Sequence, residues 1–203
     1  MTTVKRGGVR AFTGEAPRLE VAVRWIAAMF VPSSCARLPP AWRSRDSFSP
    51  MVDRSGYALR PNGGREILFR GTRMHVKVGY AEGTAYSLIE MAHAPNVGPA
   101  LHRHPGGDEA FYILDGEYEI RCGDEVFIGT AGSFVFVPRG APHGYTVGPA
   151  GGRVLVVMPT GLERYFAEVA DRLANGVVSM DEEAEIAARY GQEFLDRLRH
   201  WGQ

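Results

Sequence analysis

Three of the six histidines stand at spacings that could do chemistry. His102 and His104 are separated by one residue, Glu109 follows five positions after His104, and His143 lies downstream of Pro138-Arg139-Gly140. On a strand, side chains at i and i+2 point to the same face, so His102 and His104 can converge on one ion. Glu109 begins an apolar stretch after the Pro105-Gly106-Gly107 turn; if it faces inward, Phe111 and Ile113 face inward with it. His143 follows a tight turn and could arrive from a neighbouring strand. Three imidazoles and one carboxylate form a shell suited to a divalent metal. His75, His93 and His200 carry no such pattern and read as ordinary satisfied polar groups.

The elements that must position these residues are short strands. Apolar or alternating runs occupy residues 66–70, 74–78, 85–91, 111–114, 118–121, 126–128, 133–137 and 153–158. Their separators are turn formers: Asp115-Gly116, Cys122-Gly123-Asp124, Gly129 to Gly132, and Pro138 to Gly140. Such closely spaced strands read as an antiparallel sandwich or barrel, so the fold class is all-β. After Pro159 the period becomes helical. Leu162, Tyr165, Phe166, Val169 and Leu173 recur on one face, and Asn175-Gly176 supplies a stop. Ser179-Met-Asp-Glu182 has capping-box form and opens a second helical run through Ile186, Tyr190, Phe194, Leu195 and Leu198. Two C-terminal α-helices are therefore expected on the outside of the β core.

The two spacings resemble the paired signature motifs of the cupins, small β-barrels of jelly-roll type. The first reads His102-x-His104-x4-Glu109-x6-Gly116 and the second Gly132-x5-Pro138-x-Gly140-x2-His143. Two positions depart from the pattern: Asn96 stands where a leading glycine is usual, and Val147 where an asparagine is common. Neither departure removes a ligand. The resemblance covers about residues 60–160, and its closest wording is that of bacterial quercetinase-type (quercetin 2,3-dioxygenase-like) single-domain cupins. It implies His102, His104, Glu109 and His143 as metal ligands, with the interval to Gly116 selecting Glu109 over Asp108. Imidazole and carboxylate without thiolate suit Mn, Fe, Co, Ni, Cu or Zn and disfavour Ca or Mg. A homodimer is also an expectation of the resemblance.

The resemblance implies a metal-dependent dioxygenase acting with O2 on a small phenolic or enolic, flavonol-like compound. Glu109 is expected to act as ligand and, if it can leave or share the ion, as catalytic base; Phe111, Ile113, Phe134, Phe136 and Tyr145 could line an apolar substrate pocket or simply fill the barrel core. Two alternatives use the same shell: a non-redox isomerase or hydrolase, and a non-catalytic module that binds a small molecule.

Composition narrows the classes further. The 203 residues carry 23 basic and 23 acidic side chains, a net charge of zero that argues against a nucleic-acid partner. Cys35 and Cys122 lack any CxxC spacing, which fits a reducing, cytoplasmic setting. Residues 1–50 hold eight Lys/Arg against three acids and five of the thirteen prolines, marking a basic, poorly ordered leader outside the barrel. The barrel is expected over 51–160 and the helical extension over 161–203. Within the leader, the apolar run at 21–31 contains Arg24 and is too short to span a bilayer. Glu20 and Arg24 also fit an export signal poorly, so no membrane association is expected. Met51-Val-Asp-Arg reads as a natural start for a compact barrel.

Overall fold

Alternation of apolar residues builds the strands of this protein, and two of those strands are long enough to serve two layers. The structure, a computed structural model, describes the backbone of residues 9–11 and the whole of residues 55–196. The strands are β1 (Val9–Ala11), β2 (Arg65–Phe69), β3 (Thr72–Val78), β4 (Tyr86–His93), β5 (His102–Arg103), β6 (Glu109–Cys122), β7 (Glu125–Thr130), β8 (Phe134–Val137) and β9 (His143–Pro159). Helices α1 (Glu163–Asn175) and α2 (Met180–Arg189) follow, and β10 (Glu193–Phe194) ends the described chain.

Strands β6 and β9 pair antiparallel along most of their length. Their Ala110–Asp115 and Arg153–Val157 halves continue on one side through β4, β3 and β2 and on the other to β8. Their Tyr118–Cys122 and His143–Val147 halves continue through β5 to β10 and through β7 to β1. The result is a jelly roll of two layers hinged along β6 and β9. The hydrogen bonding among the described residues does not close into a continuous cylinder.

The hinge is glycine. The register of β6 against β9 shifts between Ile113 and Asp115 and again between Gly116 and Tyr118. Gly116 has φ +81° and Gly151 φ +76°, and a Cβ on Gly116 would stand 2.3 Å from the Gly151 carbonyl oxygen. Only glycine tolerates both the left-handed backbone and that approach. Asp115-Gly116, expected as a turn between two strands, is thus a kink inside one strand.

The core lies between the layers. Met74, Val76, Phe111, Ile113, Tyr118, Ile120, Val147, Val154, Val156 and Met158 alternate inward and are buried in one cluster. Each such side chain contributes about 1.5–3 kcal/mol on leaving water. Helix α1 caps the layer containing β2: Tyr165 and Phe166 set their rings 5.7 and 5.2 Å from Phe69. Ser179 caps α2 through its Oγ, which accepts from the Glu182 N–H.

Helix α2 stops short of the helical run expected through Leu198. Gly191 takes φ +83°, its N–H donates to the Ala188 carbonyl, and the Gln192 N–H reaches back to Ala187. That is a Schellman ending, and it turns the chain so that Glu193 and Phe194 pair with Arg103 and His102. A second correction concerns the leader. Val9–Ala11 pair in parallel with Val126–Ile128, so this part of it joins the sheet instead of lying outside. The apolar run at 21–31 and the Met51 start lie outside the described residues. All described residues belong to one compact unit. Among them no helix is long and apolar enough to cross a membrane.

Candidate metal centre

The four candidate ligands come from three stretches of chain brought together by strand pairing. His102 in β5 is opposite His143 at the start of β9, and Phe194 of β10 borders His102 on its other side. His104 follows β5 directly, and Glu109 opens β6, paired with Val137. One ligand atom from each of the four side chains lies within 4.8 Å of the others, and all four residues are buried. The imidazole rings stand 4.3–5.0 Å apart, centroid to centroid.

Backbone carbonyls orient two of the rings. His102 Nδ1 and His143 Nδ1 are each 2.8 Å from a carbonyl oxygen, of Ala100 and Ala141. An Nδ1–H donated to each leaves Nε2 turned toward the cluster, the arrangement in which a histidine presents a lone pair to a metal. His143 Nε2 lies 2.8 Å from Glu109 Oε2. His104 is 2% exposed, and neither of its ring nitrogens finds a hydrogen-bond partner, although Nε2 comes within 3.5 Å of Glu109 Oε2. An orphaned, buried imidazole is costly unless it holds something. A transition-metal ion fits this donor set and accounts for the orphan, with His102, His104, Glu109 and His143 as its holders.

The electrostatics suit a cation. Burial, reinforced by the charges of His143 and His104, drives the His102 pKa down to about 3. Burial would raise the Glu109 carboxyl, but the neighbouring imidazoles of His104 and His143 outweigh it and hold the group well below the usual carboxylate range. His143 is shifted upward, because its bond to Glu109 outweighs the effect of burial. Asp108, the competing acid, is exposed and accepts from the Arg139 N–H at 2.8 Å, which fixes the turn instead.

A cavity of about 20 Å³ adjoins the cluster, room for roughly one water molecule. Its wall includes His102 and Glu109 with Phe111 and Tyr145, two of the residues expected in a pocket. Ile113 is fully buried in the core and does not line the cavity. Phe134 and Phe136 are corrected outright: they are 56% and 53% exposed on the outer face. Period-two geometry explains it, since Val135 and Val137 are the inward members of β8, paired with Phe111 and Glu109.

Sequence reasoning missed Met91, Pro99, Val156, Met158, Leu162, Phe166 and Gln192, which complete the wall. The alternation of the β4 and β9 segments marks Met91, Val156 and Met158 as inward. Nothing marked Gln192 beyond the glycine before it. Tyr145 donates or accepts at His93 Nε2 over 2.8 Å, while His93 Nδ1 meets the Tyr118 hydroxyl at 3.0 Å, so His93 is a satisfied core histidine, as expected.

With this geometry in hand, comparison with known proteins is informative about the domain. The cupin domain family matches residues 89–158, a segment containing all four candidate ligands. No curated protein matches the sequence. Among solved structures, the chain is similar to the polyketide cyclase RemF from Streptomyces resistomycificus at 24% identity, covering 52% of this chain and 80% of that one with a TM-score of 0.46. An RmlC-like cupin from Shewanella frigidimarina matches at 17% identity over 55% of this chain and 96% of its own, TM-score 0.46. KdgF from Halomonas sp. matches at 14% identity over 54% and 99%, TM-score 0.47.

Proposed function

From a cupin domain whose three histidines and one glutamate meet at a single buried point, we propose that this protein is a metal-dependent enzyme, a dioxygenase acting on a compact enolic or phenolic compound. The observation that carries the reading is the ligand cluster opening onto an apolar cavity. A redox-active transition-metal ion held there would supply Lewis acidity toward a chelating oxygen and electrons toward O2.

The chain's own residues define the rest. The cavity wall contains no lysine or arginine, so it offers nothing to balance a phosphate or a second carboxylate. Met91, Phe111, Val156 and Met158 exclude water and accept an apolar body. Glu109 places its carboxylate on the cavity wall, where it can meet the enolic or phenolic hydroxyl of a bound molecule and take its proton. At about 20 Å³ the cavity does not admit a ring as it stands, so its wall, which includes Leu162 just before α1 and Phe166 within it, must give way on binding, which favours small substrates over extended ones.

Oxygen consumption by the purified, metal-reconstituted protein against a panel of β-diketones and flavonols tests the proposal. Uptake with an enolic compound, strongest for the smaller members, is the expected result. A fully metal-loaded protein that consumes no oxygen with any of them would refute the dioxygenase reading.

A further inference from the structure

Gln192 is 3% exposed and lines the cavity beside the candidate metal ligands. Among the described residues, no group hydrogen-bonds its side-chain amide. The other non-ligand polar side chain in that wall, Tyr145, already has its hydroxyl 2.8 Å from His93 Nε2. An amide that borders the cavity with its hydrogen-bonding capacity unused within the fold is available to a molecule bound there.

The segment that delivers Gln192 is fixed on both sides. Before it, Gly191 reverses the chain after α2, and the Gln192 N–H is tied to the Ala187 carbonyl at 3.0 Å. After it, Glu193 pairs with Arg103 through a 2.7 Å ion pair, and the Leu195 N–H donates to the Leu101 carbonyl at 2.8 Å. Gln192 directly precedes β10; Glu193 goes out to Arg103, while Gln192 is buried in the cavity wall. Phe194 then lies with its ring 6.2 Å from that of His102. The backbone that carries Gln192 is thus held in place beside the cluster.

We propose that Gln192 is a ligand-recognition residue, whose amide hydrogen-bonds an oxygen of a molecule bound at the metal cluster. The proposal rests on the metal-centred reading above and goes beyond it by assigning the residue that recognises the ligand. A carboxamide donates and accepts at once, which matches a hydroxyl or enol next to a carbonyl. Apolar walls and the lack of any cationic side chain select an uncharged body. The class is therefore a compact α-hydroxy-enone or enolisable diketone, with its oxygens shared between the cluster and Gln192.

The test uses the full chain loaded with Co(II), whose visible spectrum reports changes in coordination, and maltol, a small hydroxypyranone, as probe. Wild type should take up one cobalt and shift its spectrum with maltol. Gln192→Leu should hold cobalt equally well and bind maltol about tenfold more weakly, the scale of one hydrogen bond lost in a dry site. Gln192→Met, closer in length, should give the same loss if the leucine variant is unstable. Equal maltol affinity in wild type and either folded variant would overturn the role of Gln192 while leaving the metal centre intact. A wild type that binds no cobalt would overturn the metal reading itself, and the proposal with it.

Discussion

His93 and Glu109 are both buried, yet they answer to different physics. His93 is screened from water between Tyr118 and Tyr145, and burial lowers its pKa to about 3. In the unfolded chain the ring takes up a proton near pH 6.5, whereas the folded chain refuses it until far lower. The neutral-ring contribution to stability is therefore complete above pH 6.5 and is lost progressively as pH falls toward 3. Removing the ring removes that dependence. The stability difference between wild type and His93→Gln, read from urea melts, should be largest near pH 7.5 and shrink steadily from pH 6.5 to 4. A constant difference across that range would show that His93 is not held neutral. Glu109, by contrast, is kept charged by its neighbours, and its test is kinetic. Glu109→Gln, reloaded with metal, should still bind substrate but turn it over at least about a hundredfold more slowly if the carboxylate acts as base. Near-normal turnover at full metal occupancy would leave Glu109 a ligand only.

At the level of elements, α2 is tied to the β2–β3 hairpin by a charge that water never reaches. Glu183 is fully buried; it accepts from Arg70 at 2.5 Å and from the Tyr165 hydroxyl at 2.6 Å. Arg70→Leu breaks that buried ion pair, which should cost about 3–5 kcal/mol. Adding Glu183→Gln should recover part of the loss, and additive losses in chemical denaturation would disprove the coupling. Such cross-element pairs were invisible in the sequence, because 113 positions separate Arg70 from Glu183. Periodicity was legible where it was local: the strands around Met74, Ile120 and Val154 and the face of α1 all follow from it. It failed for β8, where the sequence Phe-Val-Phe-Val is apolar at every position and does not say which pair faces in. It failed again at Gly116, since a glycine that kinks a long strand and one that ends a short strand look alike. The end of α2 was partly legible, as Gly191 is a standard stop, but the continuing pattern through Phe194 and Leu198 concealed it.

Across the whole molecule, two layers hinged on β6 and β9 bring residues from 102 to 143 to one buried point, with Phe166 of α1 and Gln192 in the wall of the cavity beside it. The spacing of the four ligands was readable because it reflects strand alternation and tight turns; the closing wall was not, because it depends on tertiary packing of the C-terminal elements. Everything proposed about activity depends on that point holding one ion. The direct measurement is elemental analysis of the purified, dialysed full chain and of His104→Ala, each after incubation with a mixture of divalent transition metals. The account predicts close to one equivalent of a single transition metal in the wild type and little in the variant, both chains being folded by circular dichroism. A wild type that emerges metal-free, or a His104→Ala chain that retains its full equivalent, would contradict it.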